Sequence, residues 1–318
     1  MISDFSLLLA GLLLLFFGAE GLVRGATALS LRAGISPLVV GLTVLAFSTS
    51  SPELVVSVKA AWQGNGAIAI GNVIGSNIAN SGLILGLSAI IFPLAVQRSI
   101  IRREIPVMLG LTFVTIYFLY DGSIARWEGV LLLVFLVAYV VYTVRVAKKS
   151  GDTATAEEIE SVSVQLGRHW GIDAALLVGG LGILVLGAEL MVTAAISIAT
   201  KLGAPQVFIG LTIVALGTSL PELATSVVAA WKKEVDLLVG NLIGSNIFNI
   251  AGILGTSSML KPLINDGVTS IDLILFALFS LCLLPIMKSG YRITRLEGGL
   301  LLAAYVGYIG FLSWQLKG

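Results

Sequence analysis

The sequence predicts an all-α integral membrane protein, with ten transmembrane helices arranged as two inverted five-helix repeats. Two observations carry this prediction. The 318 residues are 57% hydrophobic and only 12% charged, about half the charged share of a typical soluble domain. The second half of the chain also repeats the motifs of the first half at a constant spacing.

The predicted helices are apolar segments of about 20 residues, the length that crosses the hydrocarbon core of a bilayer. Ten such segments follow one another: 5–31, 37–62, 67–93, 100–120, 127–147, 171–200, 206–231, 236–260, 270–288 and 296–315. One long polar stretch, 148–169, separates the first five from the last five. We therefore predict a first repeat over 1–149, a cytoplasmic linker loop over 150–169 and a second repeat over 170–318.

The orientation of the helices follows from the lysines and arginines, which favour the cytoplasmic side of a membrane. With the N-terminus outside, the inside loops hold thirteen of these residues and the outside loops hold five. The sequence thus predicts a multi-pass protein of the cell membrane with both termini outside.

The internal repeat is strongest where 37–88 aligns with 206–257, with 26 identities in 52 positions. Glu53 recurs as Glu222 and Asn77 as Asn246, in both cases 169 residues later. Because five is an odd number of spans, the two halves must enter the membrane in opposite orientations. A binding site is then expected at the repeat interface, near the midplane of the bilayer.

A first repeated block contains a proline and a glutamate within an apolar helix. It reads "GLTVLAFSTSSPELVVSVKAAW" at 41–62 and "GLTIVALGTSLPELATSVVAAW" at 210–231. A helical proline removes a backbone N–H and clashes with the carbonyl four residues earlier. We expect each helix to break there and to leave carbonyls near Ala46 and Ala215 free. In a membrane, such groups are tolerated only inside protein or lining a cavity.

The break also carries side-chain oxygens. The hydroxyls and carboxylates at this point belong to Thr49, Ser50, Glu53, Thr218, Ser219 and Glu222. Oxygen ligands with negative charge suit hard cations such as Ca²⁺, and a buried membrane carboxylate is a functional-site hypothesis by default. Two carboxylates would balance one Ca²⁺, two Na⁺ or two H⁺. The alternative is a structural polar contact between helices.

A second block reads "GNVIGSNIANSGLILG" at 71–86 and "GNLIGSNIFNIAGILG" at 240–255. Ser76 and Asn80 are four residues apart and share a helix face, as do Ser245 and Asn249. These four are further candidate ligands, although the two asparagines could instead bond neighbouring helices.

Other residues of the second block are predicted to serve the site indirectly. Asn77 and Asn246 point about 100° away from the ligand face, so we expect them at the site edge or capping the broken helix. The glycines of this block have the spacing that lets helices approach closely; they are Gly71, Gly75, Gly240 and Gly244.

Two more glutamates, Glu20 and Glu189, lie in helices 1 and 6. Arg24 is placed for an i, i+4 pair with Glu20, whereas Thr193 occupies the equivalent position in the second half. We predict ion pairing, snorkelling or lining of an ion passage for these glutamates, in preference to direct ligation. Trp62 and Trp231 end helices and are predicted interface anchors.

The remaining polar features favour no other function class. The acidic run at 157–160 is predicted to be a solvated loop and not a regulatory Ca²⁺ site. The single Cys282 and single His169 supply neither a disulfide nor a nitrogen and sulfur metal cluster. There is no basic patch for nucleic acid and no nucleotide loop, so we predict neither an enzyme nor a cofactor.

The paired "TSLPE" and "GSNI" blocks in two five-helix halves resemble the cation/Ca²⁺ exchanger superfamily, most closely its prokaryotic sodium/calcium exchanger branch. This resemblance implies an antiporter that exchanges Ca²⁺ for Na⁺ by alternating access, functional as a monomer in the lipid bilayer. Helices 1 and 6 would slide across a core of the other eight. The implied ligands are Thr49, Ser50, Glu53, Ser76, Asn80, Thr218, Ser219, Glu222, Ser245 and Asn249, with sodium ligation by the carbonyls of Ala46 and Ala215.

The sequence departs from the family pattern at several positions. Many sodium/calcium exchangers carry an aspartate at one of the positions of Asn80 and Asn249, which are both neutral here. Ser48 and Ser51 replace the glycine and leucine of the motif. A Ca²⁺/H⁺ exchanger on the same scaffold therefore stays open as an alternative, as does, from a different class, a passive cation channel.

Overall fold

The computed structural model describes residues 2–32, 34–150, 170–201 and 215–315. These residues form twelve helices and four two-residue strands. In chain order they are α1 (Ile2–Arg32), α2 (Pro37–Thr49), α3 (Ser51–Gln63), α4 (Gly66–Ile91), β1 (Leu94–Ala95), α5 (Ile100–Asp121), β2 (Ser123–Ile124), α6 (Arg126–Ser150), α7 (Trp170–Lys201), α8 (Ala215–Thr218), α9 (Leu220–Trp231), α10 (Val235–Leu260), β3 (Leu263–Ile264), α11 (Ser270–Lys288), β4 (Arg292–Ile293) and α12 (Arg295–Gln315).

The helices fit the predicted spans. Within the described residues, eight helices are long and apolar enough to cross a membrane, and α2 with α3 forms a ninth span bent by 47°. The remaining predicted span, 206–231, starts in a segment outside the described residues, and α8 and α9 are its described part. The predicted all-helical membrane fold is confirmed.

The centre of the molecule is formed by α4 and α10, which carry the second repeated block. In their most apolar windows 72% and 94% of the residues are buried, against 22% in α6 and 17% in α12. The outer helices present large apolar side chains to the surroundings, as expected for surfaces that face lipid. The repeated blocks are therefore the core of the fold.

The predicted close helix contacts occur along α10. A Cβ built on Gly240 would lie 2.5 Å from the Leu38 carbonyl oxygen, and one on Gly244 would lie 2.7 Å from Leu42. Only glycine allows these approaches to α2. For the equivalent Gly71 and Gly75, the matching neighbours fall in 206–214, outside the described residues.

Two short antiparallel ladders join the halves, which the helical prediction did not include. Leu94 of β1 pairs with Ile293 of β4, and Ile124 of β2 pairs with Leu263 of β3. The strand β3 is the repeat of β1, and β4 is the repeat of β2, so the ladders are related by the internal repeat. Each ladder joins two loops that the charge distribution assigns to the same side of the membrane.

The long helices α1 and α7 pack against each other along their lengths in antiparallel fashion. Glycines permit this contact, because a Cβ on Gly18 would lie 2.7 Å from the Leu184 nitrogen and one on Gly180 would lie 2.6 Å from the Leu22 nitrogen. The pair has the length and position of predicted helices 1 and 6.

An ion pair closes each end of the α1–α7 pair. Arg32 Nε lies 2.7 Å from Asp173 Oδ2, and Lys201 Nζ lies 2.5 Å from Asp4 Oδ2. The hydrogen bond to Asp4 raises the pKa of Lys201 above its ordinary value. These bonds join the two helices into one unit, which we call the α1–α7 unit.

Candidate functional site

The first block folds as predicted into a broken helix in each half. Ser50 stands between α2 and α3 with φ −83° and ψ 5°, and Ser219 stands between α8 and α9 with φ −88° and ψ 5°. Pro52 and Pro221 follow within the first turn of α3 and α9, where the backbone N–H has no partner within the helix and its loss costs no hydrogen bond. The repeat thus reproduces the break in its backbone angles.

The prediction that the Ala46 carbonyl is free is wrong. The Ser50 N–H donates a hydrogen bond to it at 3.1 Å, because the last turn of α2, Ala46–Thr49, is α-helical. In the second half, the Ser219 N–H donates to the Leu216 carbonyl at 3.2 Å. A carbonyl oxygen has two lone pairs, so ligation by Ala46 and by Ala215 stays a prediction.

The two breaks meet in the interior. Glu53 and Glu222 are each only 1% exposed, and each accepts a hydrogen bond from the serine at the break of the other half. Ser50 Oγ donates to Glu222 Oε1 at 2.9 Å, and Ser219 Oγ donates to Glu53 Oε1 at 3.1 Å. The structure therefore brings the two carboxylates to one buried, symmetric centre.

The other hydroxyl candidates lie around this centre. Ser219 Oγ is 3.2 Å from Ser76 Oγ, and the Ser245 hydroxyl is fully buried without a hydrogen-bond partner among the described residues. Thr49 and Thr218 each contact an asparagine of the other half, at 3.3 Å and 3.4 Å. The threonine hydroxyls are thus tied to the opposite repeat.

The four asparagines of the second block form a crossed arrangement between α4 and α10. Asn80 Nδ2 donates to Asn246 Oδ1, and Asn249 Nδ2 donates to Asn77 Oδ1, both at 3.0 Å. Asn77 and Asn246 therefore hold the opposite candidate ligands in place, and the alternative that they cap the broken helices is wrong. Asn80 and Asn249 do form the interhelical hydrogen bonds considered as the alternative to ligation. These bonds use only the amide nitrogens of the two side chains.

Among the buried carboxylate and amide oxygens of the described residues, four are left without a hydrogen-bond donor: Glu53 Oε2, Glu222 Oε2, Asn80 Oδ1 and Asn249 Oδ1. Buried polar groups in proteins are almost always satisfied, so this concentration of unsatisfied acceptors is unusual. Each repeat supplies one carboxylate and one amide oxygen. Such a donor set has the chemistry of a site for a hard cation.

The site differs from a carboxylate-rich metal centre. Within the part of the chain that the structure describes, no group of three or more His, Cys, Asp or Glu side chains is placed to hold a metal ion. Any cation bound here would depend on two carboxylates and otherwise on neutral oxygens.

One pair of site residues was missed from the sequence, namely Asn72 and its repeat Asn241. Asn72 Nδ2 donates to the Glu53 carbonyl at 3.2 Å and to Ser57 Oγ at 2.9 Å. Its Oδ1 accepts from Thr218, just as Asn241 Oδ1 accepts from Thr49. The identical asparagine in both repeats was the available signal.

The glutamates of the long helices are separate from these contacts. Glu20 accepts hydrogen bonds from Arg24 at 2.5 Å and from Lys232 at 3.1 Å, so the predicted pairing with Arg24 is confirmed. Glu189 is exposed and makes no ion pair among the described residues. The acidic run at 157–160 and His169 lie outside those residues.

A family model described as sodium/calcium exchanger protein matches residues 3–145 and again 172–314. The two matches coincide with the two predicted repeats. Among curated proteins, the sodium/calcium exchanger MaX1 of Methanosarcina acetivorans is 32% identical over 348 residues, covering 98% of this chain and 99% of that protein. The inner membrane protein YrbG of Escherichia coli is 37% identical over 264 residues, covering 82% and 81%.

Among solved structures, the sodium-calcium exchanger NCX_Mj superposes with a TM-score of 0.83 at 34% identity. The superposition covers 98% of this chain and 99% of that chain. Structures of that exchanger soaked with Na⁺ and Ca²⁺, or with Na⁺ and Sr²⁺, superpose equally well, with TM-scores of 0.83 and 0.84.

Proposed function

Because the chain belongs to the sodium/calcium exchanger protein family, we propose that it is a secondary active antiporter that exchanges Ca²⁺ for Na⁺ by alternating access. It spans the cell membrane with ten helices in two inverted repeats, works as a monomer, and has both termini outside. The paired ladders support this arrangement, because β1 with β4 and β2 with β3 join loops predicted on the same side. The chain needs no cofactor in this role and is not an enzyme.

The transported ions bind between the repeats, near the midplane of the bilayer. The proposed ligands are the side chains of Thr49, Ser50, Glu53, Ser76, Asn80, Thr218, Ser219, Glu222, Ser245 and Asn249, together with the carbonyls of Ala46 and Ala215. Their oxygen chemistry suits Ca²⁺ and Na⁺ and not softer metals.

The observation that carries the proposal is the set of four buried acceptor oxygens without donors, two from each repeat. A single cation among them would satisfy acceptors that no donor among the described residues reaches. Since Na⁺ and Ca²⁺ would share the same two negative charges, binding of one opposes binding of the other. This competition, combined with access from one side at a time, is the basis of coupled exchange.

Proton coupling is the second candidate, and one observation favours it. Asn80 and Asn249 are both neutral and hold fixed hydrogen bonds to Asn246 and Asn77. The two glutamates are then the only carboxylates among the candidate ligands, and they could carry two protons back for each Ca²⁺.

The deciding experiment is ⁴⁵Ca²⁺ uptake into proteoliposomes at clamped voltage, with an outward gradient of either Na⁺ or H⁺. Uptake driven by Na⁺ alone supports the proposal. Uptake driven by H⁺ alone would replace Na⁺ by H⁺ as the counter-ion, and uptake that needs neither gradient and does not saturate would indicate a channel. Empty liposomes with the same gradients are the control.

A further inference from the structure

Several contacts between the halves follow an exchange rule. In each of these, when a residue of one half contacts a residue of the other, their repeat partners also make contact. Ser50 with Glu222 matches Ser219 with Glu53. The ion pairs that close the α1–α7 unit follow the same rule, since Lys201 with Asp4 matches Arg32 with Asp173. The central helices and the α1–α7 unit are each symmetric.

The placement of the α1–α7 unit on the core breaks this rule. Helix α1 packs along α9, where Phe16 and Trp231 lie with ring centroids 5.9 Å apart, and Lys232 Nζ lies 3.1 Å from Glu20 Oε1. The matching contact would join α7 to α3. No packing of comparable extent between those two helices is found within the described residues.

The outer face of α3 is consequently uncovered. Val55 is 66% exposed, and it lines a groove of about 620 Å³ together with Lys59, Gln63 and other residues. At the equivalent position of Lys59 on α9, Val228 is only 3% exposed. The same helix face is therefore covered in one half and open in the other.

Two charged groups on these surfaces have no ionic partner among the described residues. Glu189 on α7 is the repeat of Glu20, and it is exposed within an apolar helix. Lys59 is exposed on α3, one turn before Gln63, which is the repeat of Lys232. One turn is about 5.4 Å along the axis, a distance that a lysine side chain spans by extending along the helix surface. An unpaired charge such as Glu189 within an apolar membrane helix is costly.

We propose that Glu189 and Lys59 form an ion pair in a second conformation, in which the α1–α7 unit packs against α3 instead of α9. Glu20–Lys232 then stabilises the conformation in which the α1–α7 unit packs on α9, and Glu189–Lys59 stabilises the one in which it packs on α3. By the predicted topology Lys232 lies inside and Lys59 outside, so the first pair closes the inner side of the site and the second closes the outer side. This inference rests on the alternating access of the proposed function.

The test is site-directed cross-linking in proteoliposomes, on a Cys282→Ser background that removes the natural thiol. One variant carries Glu20→Cys with Lys232→Cys, and a second carries Lys59→Cys with Glu189→Cys. With a short bismaleimide, we expect the first to cross-link at rest. We expect the second to cross-link several-fold faster when ion gradients drive turnover, and either cross-link to abolish exchange.

The matched control is Asp4→Cys with Lys201→Cys, because that cross-link joins α1 and α7 within the moving unit and should leave exchange intact. The proposal is overturned if residues 59 and 189 never cross-link during turnover, or if exchange continues after residues 20 and 232 are joined. Wild-type flux in the same vesicles reports the proposed function without any cross-link, so the two failures are distinguishable.

Charge reversal gives an independent reading that does not depend on cysteines. Lys59→Glu alone should slow exchange several-fold, and adding Glu189→Lys should restore most of the rate. A double variant slower than both single variants would contradict the ion pair.

Discussion

Each buried glutamate uses one carboxylate oxygen to bind a serine of the opposite half and leaves the other without a donor. Leaving a buried polar atom unsatisfied costs about 1–3 kcal/mol. The same cost applies to the amide oxygens of Asn80 and Asn249. A cation that contacts these four atoms would satisfy them and so stabilise the folded protein.

Because Glu222 Oε2 is one of these oxygens, we expect Ca²⁺ to raise the stability of the protein through Glu222. A ligand present at 100 times its Kd stabilises the folded state by about 2.7 kcal/mol. Glu222→Gln removes one of the two negative charges, so the Ca²⁺-dependent rise in Tm should disappear. The ⁴⁵Ca²⁺ uptake should fall by about 100-fold or more, which corresponds to about 2.7 kcal/mol.

The matched control is Glu297→Gln, which removes a carboxylate that only accepts bonds from Thr294 at the start of α12. It should retain both the thermal shift and the uptake. Unchanged Ca²⁺ transport in Glu222→Gln would show that the site is assigned wrongly.

Asn72 positions the backbone at Glu53. Its amide donates to the Glu53 carbonyl and to Ser57, and a hydrogen bond of this kind contributes about 1 kcal/mol. Asn72→Ala should lower the free energy of unfolding by about 1–3 kcal/mol, because buried partners lose their donor, and should weaken Ca²⁺ binding. Calorimetric titration measures the affinity, and the exposed Asn65→Ala is the control. Equal Ca²⁺ affinity in the two variants would exclude the positioning role.

At the scale of the helices, the sequence predicted what depends on hydropathy and on proline. The apolar segments and the breaks before Pro52 and Pro221 are present because both signals act locally. The π-helical turns at Asn80–Ile84 and Asn249–Leu254 were not predicted, since one extra residue per turn leaves no periodic pattern. Such turns are frequent at functional sites, and both begin at a candidate ligand.

The short ladders and the crossed asparagines were also beyond the sequence. A two-residue strand has no alternation of apolar and polar residues, so β1 to β4 left no signal. The direction of each asparagine amide depends on its neighbours in the other half, which the repeat alone does not specify. The sequence named the candidate ligands, and the packing of α4 against α10 decides which of their atoms have no donor among the described residues.

The proline break carries an element-scale prediction. In Pro52→Ala, the restored N–H can donate to the Ser48 carbonyl, so the 47° bend between α2 and α3 should decrease. The straighter helix would carry the Ser50 hydroxyl away from Glu222. We expect Ca²⁺ affinity to fall about tenfold, or about 1.4 kcal/mol, which is within the range of one typical hydrogen bond. Thermal stability in the absence of ions should not fall.

Pro285→Ala is the matched control for that variant, because Pro285 also lies within a helix, α11, but outside the candidate site. It should leave Ca²⁺ affinity unchanged. If both proline variants bind Ca²⁺ as the wild type does, the break is not needed to form the site.

At the scale of the whole molecule, the structure divides into a symmetric core and the symmetric α1–α7 unit. Within the core and within the α1–α7 unit, contacts occur in pairs related by the internal repeat. The contacts between the core and the α1–α7 unit have no such repeat-related partners among the described residues. A body can move against another only if its own helices stay together. The close packing of α1 on α7 is therefore required for movement as a unit as well as for stability.

This division predicts contrasting effects of an added methyl group at two adjacent glycines of α7. A Cβ at Gly180 would lie 2.6 Å from the Leu22 nitrogen and 2.8 Å from the Gly18 carbonyl oxygen, whereas one at Gly179 meets nothing within 4 Å among the described residues. Backbone atoms cannot rotate away as a side chain can, so Gly180→Ala must push α1 from α7. Overpacking of this kind costs about 1–3 kcal/mol, which should appear as a lower Tm and a reduced exchange rate. Gly179→Ala makes the same chemical change on a free face and should preserve both quantities. A Gly180→Ala protein with wild-type Tm and flux would mean that α1 and α7 separate freely, and that they do not move as one body.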